Sequence, residues 1–84
     1  MKLILVEWVD SHSGRGWQDL DNLKKASVPL YCRSVGWLAS ERNGCVVLVP
    51  HLSGEKNDSI ALHGCGDLTI PKKAIVRTTI LRRD

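Results

Sequence analysis

Asn43-Gly44 constrains this chain more than any other pair of residues. Asn and Gly both enter positive φ at low cost, and a two-residue turn built from them matches the twist of the strands it joins. Residues 30–41 precede it as Leu-Tyr-Cys-Arg-Ser-Val-Gly-Trp-Leu-Ala-Ser-Glu, and residues 45–52 follow as Cys-Val-Val-Leu-Val-Pro-His-Leu. The sequence therefore predicts a hairpin between two long strands. In the first, Tyr31, Val35, Trp37 and Ala39 fall on one side, and Cys32, Ser34, Gly36 and Leu38 on the other. Gly36 in mid-strand marks a sharp bend or a close backbone approach, and Pro50, which cannot donate to a ladder, marks a strand end or an edge.

The rest of the chain divides to suit. Residues 3–9, Leu-Ile-Leu-Val-Glu-Trp-Val, read as a strand that is apolar on both faces and should be largely covered. A polar loop follows at 10–16. Trp17 to Ala26 is the one helix candidate: Trp17, Leu20 and Leu23 recur at helical spacing, Asp19 and Asp21 stand near its start, and Lys24 and Lys25 near its end. Ser27-Val28-Pro29 should stop it. So short a helix cannot stand alone in water, so its apolar face is expected on the sheet. Beyond the hairpin come a polar loop at 53–58, a short strand at 59–63, a tight turn at 64–67, extended residues 68–70, one helical turn at 71–74 and a last strand at 75–81. The expectation is a mainly β (α+β) fold: a small, strongly bent antiparallel β-barrel with one short helix after the first strand, forming a single domain over residues 1–84.

Two resemblances sharpen this. Asp67-Leu-Thr-Ile-Pro-Lys-Lys-Ala-Ile-Val resembles the penultimate strand, one-turn 3₁₀ helix and final strand of SH3-like and Sm-like barrels, which implies that architecture. The phrases Glu7-Trp-Val-Asp-Ser, Gly16-Trp, Asp19-Leu-Asp-Asn-Leu, Cys32-Arg-Ser-Val-Gly-Trp-Leu, Val49-Pro-His-Leu-Ser and Gly64-Cys-Gly-Asp-Leu-Thr-Ile-Pro resemble small proteins encoded by bacteriophages and prophages. That likeness implies a phage-related role, including interference with a host pathway. It carries no catalytic or binding residues with it.

Charge and cysteine usage narrow the classes further. The net charge is +3, and it is uneven: Lys72, Lys73, Arg77, Arg82 and Arg83 crowd the last seventeen residues against Asp84 alone. Such a segment suits an anionic partner, and equally an edge strand guarded by charge. Cys32, Cys45 and Cys65 are odd in number and not closely paired, and the N-terminal apolar run is too short for a signal peptide or a membrane span. A reducing cytoplasm with free thiols is expected (the host's, if the chain is phage-encoded), and no membrane partner.

Catalysis and metal binding find little support. Cys32, Cys45, His63 and Cys65 are metal-ligand types, but no Cys-x₂-Cys knuckle occurs. Cys65, His63 and Asp67 lie too close in sequence to act as a triad, and no nucleophile elbow or phosphate-cradling glycine motif is present. The expectation is a non-catalytic protein with no cofactor and no metal. Binding is read where aromatic and polar residues mix: Trp8, Asp10, Ser11, Arg15 and Trp17 around the first loop; Arg33, Ser34 and Trp37, beside Tyr31, in the bent strand; and His51 and Ser53 after Pro50. Arg offers forked donors to phosphate and Trp a face for a base. These residues predict a homo-oligomer that binds, and can sequester, a nucleotide-like anionic ligand. A nucleic-acid-binding barrel and a protein-interaction or virion component are the alternatives. With no Phe in the chain, the three Trp are also natural core residues.

Overall fold

One strand, β1 (Leu3–Asp10), is paired along both of its edges, and the remaining elements are arranged around it. The structure is a computed structural model that describes residues 1–25, 28–54 and 63–83. After β1 come α1 (Leu20–Lys25), β2 (Leu30–Arg42), β3 (Cys45–Val49), β4 (His51–Ser53), β5 (His63–Cys65), β6 (Leu68–Pro71), a 3₁₀ turn (Lys72–Ala74) and β7 (Ile75–Arg82). Five strands form one antiparallel sheet in the order β6-β3-β2-β1-β7, and β4 and β5 form a separate hairpin. The mainly β class with one short helix after the first strand is as expected.

The turn residues behave as their chemistry requires. Asn43 and Gly44 hold φ of 56° and 71°, closing the β2–β3 hairpin. Pro50 ends β3, and Pro71 lies in β6, an edge strand whose missing N–H removes no bond to a further strand. Three expectations need correction. The helix is shorter than Trp17 to Ala26: Asp19 caps it, its carbonyl accepting from the Asn22 and Leu23 amides at 3.1 Å and its Oδ1 accepting from the Asp21 amide at 3.3 Å, so the first helical residue is Leu20. The helix also buries none of its residues against the sheet. The turn expected at 64–67 is narrower, because Gly64 and Cys65 belong to β5 and only Gly66 (φ 78°) and Asp67 turn. Of the strand expected at 59–63, all but His63 lies outside the described residues, as does most of the loop before it.

The sheet is strongly curved. β6 and β7 are its opposite edges, yet only Lys72–Ala74 separate them. Five flat strands would set the edges about 19 Å apart. Four Cα–Cα steps from Pro71 to Ile75 span at most about 15 Å, and less in a 3₁₀ turn. The edges therefore converge at this end, although β6 and β7 do not pair among the described residues. Two features of β2 permit the bend. A Cβ on Gly36 would lie 3.2 Å from Leu48 Cβ and from the Val49 backbone N and O, so any side chain would press on these atoms where the strand passes from β1 to β3. Ala39 is a bulge: Leu38 pairs with Leu48 but Ser40 with Val47, which reverses the alternation and brings Glu41 opposite the buried Val46.

The concave face holds the core. Ile4 and Val6 of β1, Val46 and Leu48 of β3 and Ile70 of β6 are buried together, with Trp8, Leu38, Ala74 and Ile75 packed on them. The 3₁₀ turn is tied in by the Lys72 amide donating to the Gly44 carbonyl at 2.8 Å. The edge strand β7 is bulged at Val76 and Leu81 and carries Arg77 and Arg82, devices that discourage pairing with another edge. Gly36→Ala is expected to lower stability by about 1–3 kcal/mol, because backbone atoms that cannot rotate away surround the new methyl group. A urea melt with an unchanged midpoint would show that the approach is not tight.

Candidate functional site

Glu7 is the only charged side chain in β1 before Asp10, and the pairing register gives it two partners. It lies opposite Arg33 of β2 and opposite Arg77 of β7, on the convex face away from the core. Arg33 Nε is 3.6 Å from Glu7 Oε1, and Arg77 Nε is 3.9 Å from Glu7 Oε2. The Glu7 side chain is only 17% exposed, whereas those of Arg33 and Arg77 are 70% and 72% exposed. These separations are too long for strong hydrogen bonds. Each nearest contact is through Nε, so the terminal forks of both guanidinium groups are not the atoms that meet Glu7. Two cations face one carboxylate, which leaves the cluster net positive.

Tyr31 completes the cluster. It is two residues from Arg33 on the same face, with its ring exposed and the guanidinium carbon 5.6 Å from the ring centroid. Desolvation by the surrounding side chains raises the Tyr31 phenol above the usual 10.0, and the charge of Glu7 and a hydrogen bond to it raise it further. Arg33 and Arg77 act in the opposite direction. Val35 continues the row along β2, exposed, and Trp37, half-buried, follows.

The residues singled out from sequence divide among several places. Trp8 and Ser34 lie on the concave side, where Trp8 Nε1 donates to Ser34 Oγ at 3.1 Å and the ring packs on the core. Arg33 and Ser34 are adjacent in sequence and point to opposite faces, as strand alternation requires. Trp37 shares the face of Arg33 but stands about 13 Å along the strand from it. Asp10 accepts from the Ser11 amide at 2.8 Å, a local turn contact. Arg15 and Trp17 lie in the exposed connection before α1. His51 and Ser53 line a shallow pocket of about 230 Å³ with His63 and Cys65. Sequence reasoning reaches Arg77 only as part of the basic segment and misses Glu7. The available signal was a lone carboxylate in an otherwise apolar strand.

A second concavity opens on the core side. It has a volume of about 410 Å³ and an apolar wall of Ile4, Leu38, Val46 and Ile75 with Thr78. Glu41 and Lys72 line it too, their charged atoms 3.5 Å apart. The metal-ligand types lie in β2 (Cys32), β3 (Cys45) and β5 (His63 and Cys65), with all three thiols free. Among the described residues, no three His, Cys, Asp or Glu gather as a metal site, and no helix is long and apolar enough to cross a membrane. No family model, curated protein or solved structure matches this chain.

Tyr31 is the only tyrosine, so its ionisation can be followed by ultraviolet absorbance. Its midpoint is expected above 10.0, to fall in Glu7→Gln and to rise in Arg33→Ala. A phenol raised on folding stabilises the protein below its unfolded pKa, and that contribution is lost as pH rises through the folded value. A midpoint unmoved by either substitution would break the proposed coupling.

Proposed function

We propose that this protein is a non-catalytic, phage-related binding protein, oligomeric in solution, that holds a nucleotide-like anionic ligand of a host pathway on the convex face of its sheet. The observation that carries the reading is the cross-strand pair of exposed guanidinium groups, Arg33 and Arg77, held loosely to either side of Glu7 beside the exposed ring of Tyr31. Guanidinium forks bind phosphate oxygens in pairs, and a flat aromatic side chain gives a base a surface to stack on. The strands that present these groups, β2 and the edge strand β7, are both paired to β1, which fixes their spacing. Trp37 extends the same face for a longer ligand. The site needs no cofactor or metal and performs no bond-making step.

Two further features support the wider assignment. The curved five-stranded sheet, with a one-turn 3₁₀ segment between its edges, favours a small SH3-like or Sm-like barrel. The resemblance to phage and prophage proteins favours a role in the host cytoplasm, where a small binder can act by sequestration. A small ligand is favoured over a nucleic acid because Lys72 pairs with Glu41 at one end of β7 while Arg82 stands at the other, which spreads these cations of the basic segment apart among the described residues.

Thermal-shift and native mass measurements with linear and cyclic nucleotides test the reading. At least one phosphate-bearing ligand is expected to raise the melting temperature. Arg33→Ala or Arg77→Ala should each weaken it about tenfold or more, the loss expected for one charge-assisted hydrogen bond of about 1.5–3 kcal/mol. No stabilisation by any nucleotide overturns the ligand, and steeply salt-dependent binding of DNA or RNA instead transfers the site to a polymer.

A further inference from the structure

The arginine pair lies in the middle of its face and not at an end. Alternate residues of β1 and β2 face outward together, and the register sets them in cross-strand pairs: Val9 with Tyr31, Glu7 with Arg33, Leu5 with Val35 and Leu3 with Trp37. From the other side of β1, Arg77 of β7 joins Glu7 and Thr79 joins Leu5. Successive pairs on one face are about 7 Å apart along a strand. The charged row of Arg33, Glu7 and Arg77 therefore has an uncharged pair one step away on each side: Val9 with Tyr31, and Leu5 with Val35. Tyr31 and Val35 are both about half exposed. The next cation of β7, Arg82, stands opposite Leu3, about 13 Å further along the strands.

Charge limits what this row accepts. Two guanidinium groups face one carboxylate, so a single negative charge neutralises the three. The carboxylate is held in place: its side chain is only 17% exposed, and the Tyr31 hydroxyl donates to it. A phosphate seated over Glu7 meets both arginines and is repelled by the carboxylate between them. A terminal phosphate carries about 1.5–2 negative charges at pH 7, and the excess over one is left uncompensated there. A phosphate esterified on both sides carries one. Shape points the same way. A nucleotide that ends in its phosphate covers the uncharged surface on one side of the row and leaves the other side bare. A diester continues past the phosphate and covers both.

We infer that the ligand is a phosphodiester joining two nucleosides, with its phosphate over Glu7 between Arg33 and Arg77, one base on Tyr31 and the second nucleoside over Leu5 and Val35 toward Trp37. This rests on the reading that Arg33 and Arg77 hold the phosphate of a nucleotide, and it names the class. Glu7 then determines specificity: it admits a diester and disfavours a free phosphate end.

Calorimetric titration at constant salt compares adenylyl-adenosine, in which one phosphate joins two adenosines, with adenosine monophosphate. The wild type is expected to bind the diester about fivefold or more tighter, the gain from one added base on the surface beyond the phosphate. Glu7→Gln keeps the shape of the side chain and removes its charge. It should improve binding of the monophosphate about three- to tenfold more than that of the diester, because the carboxylate repels the larger charge more strongly. Val35→Ser, at an exposed side chain, is expected to weaken the diester about threefold and leave the monophosphate unchanged. This variant carries the test if Glu7→Gln does not fold. A monophosphate that binds the wild type as tightly as the diester, or variants that move both ligands by one factor, overturns the diester assignment and leaves Arg33 and Arg77 as a phosphate site. Affinity that climbs with the length of longer oligoadenylates and collapses with added salt makes a polymer the ligand, which also overturns it. Binding of neither compound, with no nucleotide stabilising the protein, overturns the underlying reading as well.

Discussion

The pairing of β1 on both of its edges is the constraint from which the rest of the structure follows. Because β2 and β7 flank it antiparallel, one set of alternate residues, Ile4, Val6 and Trp8, enters the core, and the other set faces outward. A slip of one residue on either side would carry Ile4 and Val6 into water and turn Glu7 inward without a partner. The register that buries the core is thus the same register that stations Arg33 and Arg77 beside Glu7. Stability and the candidate site are two faces of one alignment.

Curvature is the second requirement, and it is met by local backbone chemistry more than by packing force. Gly36 lets β2 pass close over Leu48 and Val49, and the bulge at Ala39 resets the alternation beyond it. The same bulge explains why a glutamate lies opposite Val46 at the margin of the core: without the extra residue, Glu41 would face outward and Lys72 would lose its partner. Positive φ at Asn43 and Gly44 then returns the chain tightly enough for the Gly44 carbonyl to receive the Lys72 amide. Bend, hairpin and 3₁₀ turn are coupled through that one bond.

Local signals made much of this legible in the sequence. Asn43-Gly44, Pro50 and mid-strand Gly36 each act through their own backbone preferences, and each has its expected place in the fold, whereas Pro71, expected to open the helical turn at 71–74, ends β6 and the turn is Lys72–Ala74. The period-two pattern in residues 31–38 correctly separated the face of Tyr31 and Trp37 from that of Ser34 and Gly36. What could not be read was which strands lie side by side. Glu7, Arg33 and Arg77 are separated by twenty-six and forty-four residues, and only tertiary pairing makes them neighbours. The ten residues singled out as a site were grouped by closeness along the chain, which in strands puts neighbours on opposite faces, as Arg33 and Ser34 show. The helix was misjudged for a related reason: an apolar stripe states that a surface should be covered, and not by what.

The distribution of aromatic residues bears on why so small a chain leaves apolar surface outside. Of three tryptophans, Trp8 packs on the core, and its indole N–H donates to the Ser34 hydroxyl there. Trp17 stands fully exposed and Tyr31 about half exposed. Were these rings simply misplaced core, substituting polar residues would improve solubility at no loss, and an 84-residue chain could hardly forgo the burial they offer. Their exposure makes sense if the folded state gains its remaining stability from what it binds. A partner that recognises only the native form adds to folding free energy in proportion to the logarithm of its concentration over its dissociation constant. A thin core is then no defect, because the chain need be only stable enough by itself to present the surfaces that complete it.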